Sequence, residues 1–254
     1  MEGEEMKKWM MAAAGLALLT APGLARADSI SPTSFSATLG VGDSTTVHKT
    51  VTVSAGSAAI QADIFFLSDT TGSMGSTIAG VQSAASSILT ATAGLGNIAW
   101  GVGQYKDCDF TSPPSTTISY NRDQNITTTQ ASISTALGTW SAGGGGDTPE
   151  QALHALTEVA NTTAWRAGSQ KVVVWFGDAS AHDPGTGGET LASTIAALNA
   201  QGVKVIGFDV GALDAAGQAT AITTATGGSY HVGLANPATD VVNAITAAFA
   251  TYTS

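Results

Sequence analysis

The stretch ADIFFLSDTTGSM, residues 62–74, decides how the chain is read. Residues 62–68 form an apolar run suited to a strand buried on both faces. The run ends at Asp69, and a long Ala/Ser-rich stretch starting near Ser73 predicts a helix to about residue 93. One carboxylate and three hydroxyls (Thr70, Thr71 and Ser73) therefore sit at the tip of a strand, where the chain turns into a helix.

The same alternation continues outward. NIAWGVGQYKD (97–107) predicts a second strand, TTISYNR (116–122) a short third, and TTTQASISTALGTW (127–140) a helix. GGGGDTPEQALHALTEVA (143–160) reads as a glycine loop feeding a helix, with Asp147 or Thr148 as its N-cap and Pro149 in its first turn. QKVVVWFGD (170–178) is another apolar strand that ends at an aspartate. A helix over 189–202 stopped by Gly202, a strand over 203–211, a helix over 214–228, a strand over 229–233 and a helix over 238–252 complete the pattern. Alternating units of this kind predict an α/β fold: a doubly wound, mostly parallel central sheet flanked by helices, Rossmann-like.

The two ends read differently from this core. Lys7 and Lys8, the apolar WMMAAAGLALL (9–19) and the small-residue ARA (25–27) predict a signal peptide over residues 1–27, with cleavage before Asp28. The expected location is then secreted, periplasmic or cell-surface, with no membrane insertion after cleavage. Residues 28–61 are β-rich around the turn GVGD (40–43) and fit two or three strands. They form either a self-sufficient appendage or the opening strands of a sandwich whose remainder lies elsewhere. The α/β domain is expected over 62–254.

The net charge is −10, and only 11% of residues are charged. An acidic chain is a poor partner for nucleic acid or anionic membrane, and a good one for divalent cations. Cys108 is the only cysteine, so no internal disulfide forms. His182 is expected to contact backbone rather than metal, and His48, His154 and His231 to be structural or at the surface.

Doubly wound sheets bind ligands at the carboxyl ends of their strands. Three loops expected there, DTTGS (69–73), GGDTPE (145–150) and GDASAHD (177–183), offer Asp69, Thr71, Ser73, Asp147, Thr148, Glu150, Asp178 and Asp183. All are oxygen donors, which suit Mg²⁺, Mn²⁺ or Ca²⁺ rather than zinc or copper. Asp183 reads as a solvated turn residue.

This D-x-[S/T]-x-S loop, followed by a Gly-rich loop with Thr and an Asp closing a later strand, resembles a von Willebrand factor type A domain with its metal-ion-dependent adhesion site. The variant most similar is the I-like domain of integrin β subunits, on the strength of DTTGSM, GVGQYKD, DTPE and GDASAH. The resemblance implies a cation bound by Asp69, Thr71, Ser73 and Asp178, completed by Thr148 or Glu150. It implies a protein partner whose acidic side chain replaces a water on that cation, which is adhesion and not catalysis. It also implies a second cation, Ca²⁺, held by Asp107, Asp147, the Pro149 carbonyl and Glu150. The chain departs from that variant at Gly145, where an Asn side chain is usual.

Three other functions share parts of this pattern. A surface or matrix protein with a fold-stabilising metal fits the same residues. A serine hydrolase using Ser73, Asp178 and His182 lacks the G-x-S-x-G elbow, because position 71 is Thr. An aspartic protease would need a second D-[T/S]-G motif, and there is none.

Overall fold

The computed structural model describes residues 29–40, 42, 44–52, 60–107, 119–146 and 148–250. The expectations for the leader (1–27), Cys108 and Asp147 lie outside the described residues. The chain divides into two compact units, Met1–Ser57 and Ala58–Ser254.

In the first unit, β1 (Ser29–Ser31) pairs antiparallel with β2 (Thr50–Thr52). Phe35, Leu39 and Val47 are exposed here.

The second unit is built on a six-stranded sheet. Its strands are β3 (Ile60–Asp69), β4 (Gly96–Tyr105), β5 (Tyr120–Thr127), β6 (Gln170–Ala179), β7 (Val203–Ala212) and β8 (Ser229–Val232). The order is β5-β4-β3-β6-β7-β8, and only the β4–β5 pair is antiparallel. This is the doubly wound, mostly parallel α/β sheet expected from the alternation of elements.

The centre of the sheet is the most apolar part of the chain, because strands covered on both faces have no polar side. In β3, Ile64 and Phe66 enter one core and Phe65 and Leu67 the other. The first core is closed by α1 (Gly75–Ala93), α2 (Gln130–Leu137) and α6 (Pro237–Ala250). The second is closed by α3 (Ala152–Thr162), α4 (Leu191–Ala200) and α5 (Gln218–Ala225). In α1, Ile78, Val81, Ala85, Ile88, Leu89 and Thr92 recur at helical spacing and form its buried stripe.

Three expectations need correction. β3 is not wholly apolar: Asp63 lies in it, fully buried, and is paired with Arg166. The third strand lies at Tyr120–Thr127, later than residues 116–122. Its sequence YNRDQNIT has no apolar run, because an edge strand needs only half-buried residues. Finally, α3 is capped by Gln151 and not by Thr148. Glu150 is instead held in extended backbone: its N–H donates to the Ser180 carbonyl at 2.8 Å, and its carbonyl accepts from the His182 N–H at 2.8 Å.

Candidate metal centre

β3 and β6 are neighbours, but the chain leaves β3 toward β4 and leaves β6 toward β7. The loops beyond their carboxyl ends therefore diverge and open a crevice at the topological switch point. Asp69 is the last residue of β3, and Asp178 stands next to the last residue of β6.

Asp69 is fully buried. Its Oδ1 accepts the Thr71 backbone N–H at 2.8 Å, whereas its Oδ2 has no hydrogen-bond partner. Burial pushes its carboxyl from 3.8 up to about 6; Asp178 adds to the shift, while the Thr71 N–H and side chain and Lys106 work against it. Thr71 Oγ1 is buried and has no partner at full hydrogen-bond geometry, although it stands near enough to the Asp69 carboxyl to hold it down. Ser73 is exposed in the short 3-10 turn Gly72–Met74. Glu150 is 3% exposed, and its Oε2 also lacks a partner. Burial raises the Glu150 carboxyl to about 8, reinforced by the charges of Asp69, Asp107 and Asp178. Thr148 is exposed, Pro149 and Asp178 are half-buried, and Asp147 is outside the described residues.

The glycine loop closes over this group. The Gly143 N–H donates to Thr70 O and the Gly72 N–H to Gly144 O, both at 3.1 Å. Lys106 Nζ reaches across to the carbonyls of Ser141 and Gly143. A Cβ on Gly145 would lie 3.0 Å from Thr71 Cβ and Cγ2 and 3.6 Å from a Glu150 oxygen, so only bare backbone fits there. Gly143 and Gly144 meet no such neighbour.

Buried polar oxygens almost always find a partner. Three that do not (Asp69 Oδ2, Thr71 Oγ1 and Glu150 Oε2) belong to one cluster at the switch point. Hard oxygens of this kind fit a divalent cation with room for waters. Among the described residues no three His, Cys, Asp or Glu side chains make a ready-built cage. The cluster instead mixes a hydroxyl with carboxylates.

The model of the von Willebrand factor A domain matches residues 63–210. The chain belongs to the von Willebrand factor A domain family. It resembles in fold the proximal thread matrix protein 1 of the mussel byssus, solved with zinc in its metal-ion-dependent adhesion motif: 18% identity, TM-score 0.54, covering 75% of this chain and 46% of that one. A second crystal form of that protein gives 17% identity and a TM-score of 0.50 over the same shares. The chain thus spans less than half the length of the solved protein it resembles. No curated protein matches it. The zinc in the mussel protein shows that donor hardness alone does not exclude zinc from such a motif.

Von Willebrand A domains typically bind proteins and are not typically enzymes. The His182 ring is turned to Asp107, with Nε2 3.0 Å from Oδ1. A Ser73–His182–Asp178 triad would need that ring between the serine and Asp178. The sequence pointed to a backbone contact for His182; its ring also meets the Asp107 side chain.

Several supporting residues carry no local signal in the sequence. Thr70 Oγ1 donates to Gln104 Oε1 at 3.0 Å, and Gln104 Nε2 donates to Asp123, which also accepts from Asn121 and Trp140. This polar chain ties the Thr70 turn to the sheet edge. On the other side, Gly211 backs onto Asp178, where a Cβ would come within 2.8 Å of the Asp178 Cβ. Asp209 fixes that turn by accepting the N–H groups of Gly211, Leu213 and Asp214 and the Tyr230 hydroxyl. Burial pushes the Asp209 carboxyl up, but these donors outweigh it and hold it below the ordinary range.

Proposed function

We propose that this von Willebrand A domain is an exported adhesion module of the integrin β I-like kind, from a bacterial type of secreted protein. It captures an acidic side chain of a protein partner through one divalent cation. Asp69, Thr71 and Ser73 hold the cation, with Asp178 and with Thr148 or Glu150. Mg²⁺ is the expected ion, with Mn²⁺, Ca²⁺ and zinc as alternatives. The observation that carries this reading is the trio of buried, unpartnered oxygens on Asp69, Thr71 and Glu150. Together they offer a neutral hydroxyl and two carboxylate oxygens buried at one strand tip. A cation held partly by hydroxyls stays electrophilic enough to exchange a water for an incoming carboxylate.

The domain limits proposed are residues 1–27 for the leader, 28–61 for the β segment and 62–254 for the von Willebrand A domain. No described helix is long and apolar enough to cross a membrane.

Calorimetric titration with Mg²⁺ and Mn²⁺ tests the cation, and capture of extracellular partners with Mg²⁺ against chelator tests its use. Cation binding together with chelator-sensitive capture is the expected result. A second reading, a matrix protein whose metal stabilises the fold, draws on the mussel thread matrix protein. Loss of folding on chelation without chelator-sensitive capture would favour it.

A further inference from the structure

We propose that His182 and Gln151 hold the Asp107 carboxylate in the place where the integrin-like variant uses a second cation, so that the chain carries a single cation beside a substitute built from protein. The inference rests on the one-cation reading above and departs from the resemblance at the second site.

Asp107 follows β4 and is fully buried. Its Oδ1 lies 3.0 Å from His182 Nε2 and accepts from Gln151 Nε2 at 3.1 Å. Gln151 is anchored at its other end, where its Oε1 accepts the Thr186 N–H at 2.9 Å. Backbone bonds on both sides of Glu150 stitch the same two loops together. Asp107 Oδ1 therefore already accepts one hydrogen bond, from Gln151, and faces the His182 ring nitrogen at ion-pair distance, so nitrogens from the stretches 150–151 and 180–186 crowd it.

The remaining donors point the same way. Gly145 supplies no side chain, and the space a Cβ would need lies against Thr71. Glu150 Oε2, the unpartnered oxygen, lies in a carboxyl group acted on by Asp69 first and by Asp107 and Asp178 after it. A Ca²⁺ ion asks for six to eight oxygens. Of the donors that the resemblance implies, one is replaced by glycine and one is engaged by nitrogen.

A protein substitute has a functional consequence. A second ion would brace the first only when bound. Here the brace is permanent, and His182 and Gln151 act as positioning residues for Glu150 and the loop after β6. Removing them is expected to weaken the neighbouring cation site about tenfold, as is usual for outer-shell partners of metal ligands.

The test uses the full chain, equilibrium dialysis and metal quantification with Mn²⁺ and Ca²⁺. The expected result is one ion per chain, with Ca²⁺ only competing against Mn²⁺. The double variant His182→Ala, Gln151→Ala should fold, by near-ultraviolet circular dichroism, and bind Mn²⁺ about tenfold more weakly. His182→Gln, which keeps an N–H at the Nε2 position, should restore most of the affinity relative to His182→Ala. Two ions per native chain, or Ca²⁺ raising Mn²⁺ affinity in the native protein, would overturn the inference and leave the first site standing. A folded double variant with native Mn²⁺ affinity would overturn the positioning role. No bound ion at all would instead overturn the cation reading itself. If the double variant fails to fold, the native stoichiometry and Ca²⁺ competition decide alone.

Discussion

Asp63 and Asp69 stand on the same strand, β3, six residues apart, and both are fully buried. With a side-chain period of two, they point to the same face of the sheet. Their surroundings are opposite. The Asp63 carboxylate accepts from the Arg166 backbone N–H at 2.7 Å, from Arg166 Nε at 2.5 Å and from Ser169 Oγ at 2.9 Å. The same guanidinium donates to the carbonyls of Ala62 and Asn97 and clasps the amino ends of β3 and β4. Asp69 accepts one backbone N–H and keeps an oxygen without a partner. A buried carboxylate is structural when the protein supplies its donors and functional when the protein withholds them.

The sharpest way to break this contrast is to delete each carboxylate in turn. Asp69→Ala should abolish cation binding, a loss of more than about a hundredfold, while the apolar strands keep the fold. Asp63→Ala should leave the cation site intact in whatever protein folds, but cost about 3 kcal/mol, because it strands Arg166 without its buried partner. Calorimetric titration with Mn²⁺ and thermal melts of both variants check this. Cation loss in Asp63→Ala with a native melting temperature would invert the assignment.

Isosteric changes sharpen it further, because they give opposite signs. In chelator at pH 8, Asp69→Asn removes a desolvated charge and should stabilise the protein by about 1 kcal/mol. Asp63→Asn removes a charge-assisted pair and should destabilise it under the same conditions. Native protein with cation at a hundred times its dissociation constant should gain about 2.7 kcal/mol, and Asp69→Asn should gain none.

The metal-free site also predicts a pH dependence. Burial lifts Asp69 from 3.8 to about 6 and Glu150 from 4.5 to about 8, so both bind a proton more tightly in the folded chain than in the unfolded one. Between about pH 4 and 8 the folded state holds the extra protons, and its stability falls as pH rises through that window. The loss is complete above about pH 8. The cation replaces those protons, so Mn²⁺ affinity should rise over the same range. Melting curves in chelator from pH 4 to 9, which should decline toward high pH, check the first statement, and titrations from pH 6 to 8 check the second.

The sequence carried one of the two carboxylates and missed the other for a physical reason. Asp69 is marked by local pattern: an apolar strand stops, and small polar residues follow before a helix. Asp178 is marked the same way. Asp63 sits inside the apolar run, and its partner Arg166 lies 103 residues away, so only the folded sheet brings them together. The same holds for Gln104, Asp123 and Trp140, whose chain of bonds spans β4, β5 and the end of α2. The helix starts at Ala152, later than the local cap signal of Thr148 and Pro149 places it, because a tertiary bridge between Glu150 and Ala181 overrides that signal. Local rules found the strand tips; they did not find what braces them.

Two glycines test the bracing itself. Gly145 has φ +84°, and an added Cβ would press on Thr71 at 3.0 Å. Gly145→Ala should therefore both strain the backbone and displace the Thr71 hydroxyl, weakening Mn²⁺ binding about tenfold. Gly211 needs no unusual φ, but its Cβ would meet the Asp178 Cβ at 2.8 Å and the Asp178 carbonyl at 2.9 Å. Asp178 is half-buried, and Asp209 pins the Gly211 turn from below. Gly211→Ala must then shift either the turn or Asp178. If the turn yields, the Asp209 hydrogen bonds loosen and stability falls with little change in affinity. If Asp178 yields, affinity falls a few-fold with little change in stability. The four bonds holding the Asp209 carboxylate make the turn the stiffer partner, so the expected outcome is the second: about threefold weaker Mn²⁺ binding at a nearly native melting temperature in chelator. A lower melting temperature at native affinity would show that the turn, and not the aspartate, is the compliant side of the site.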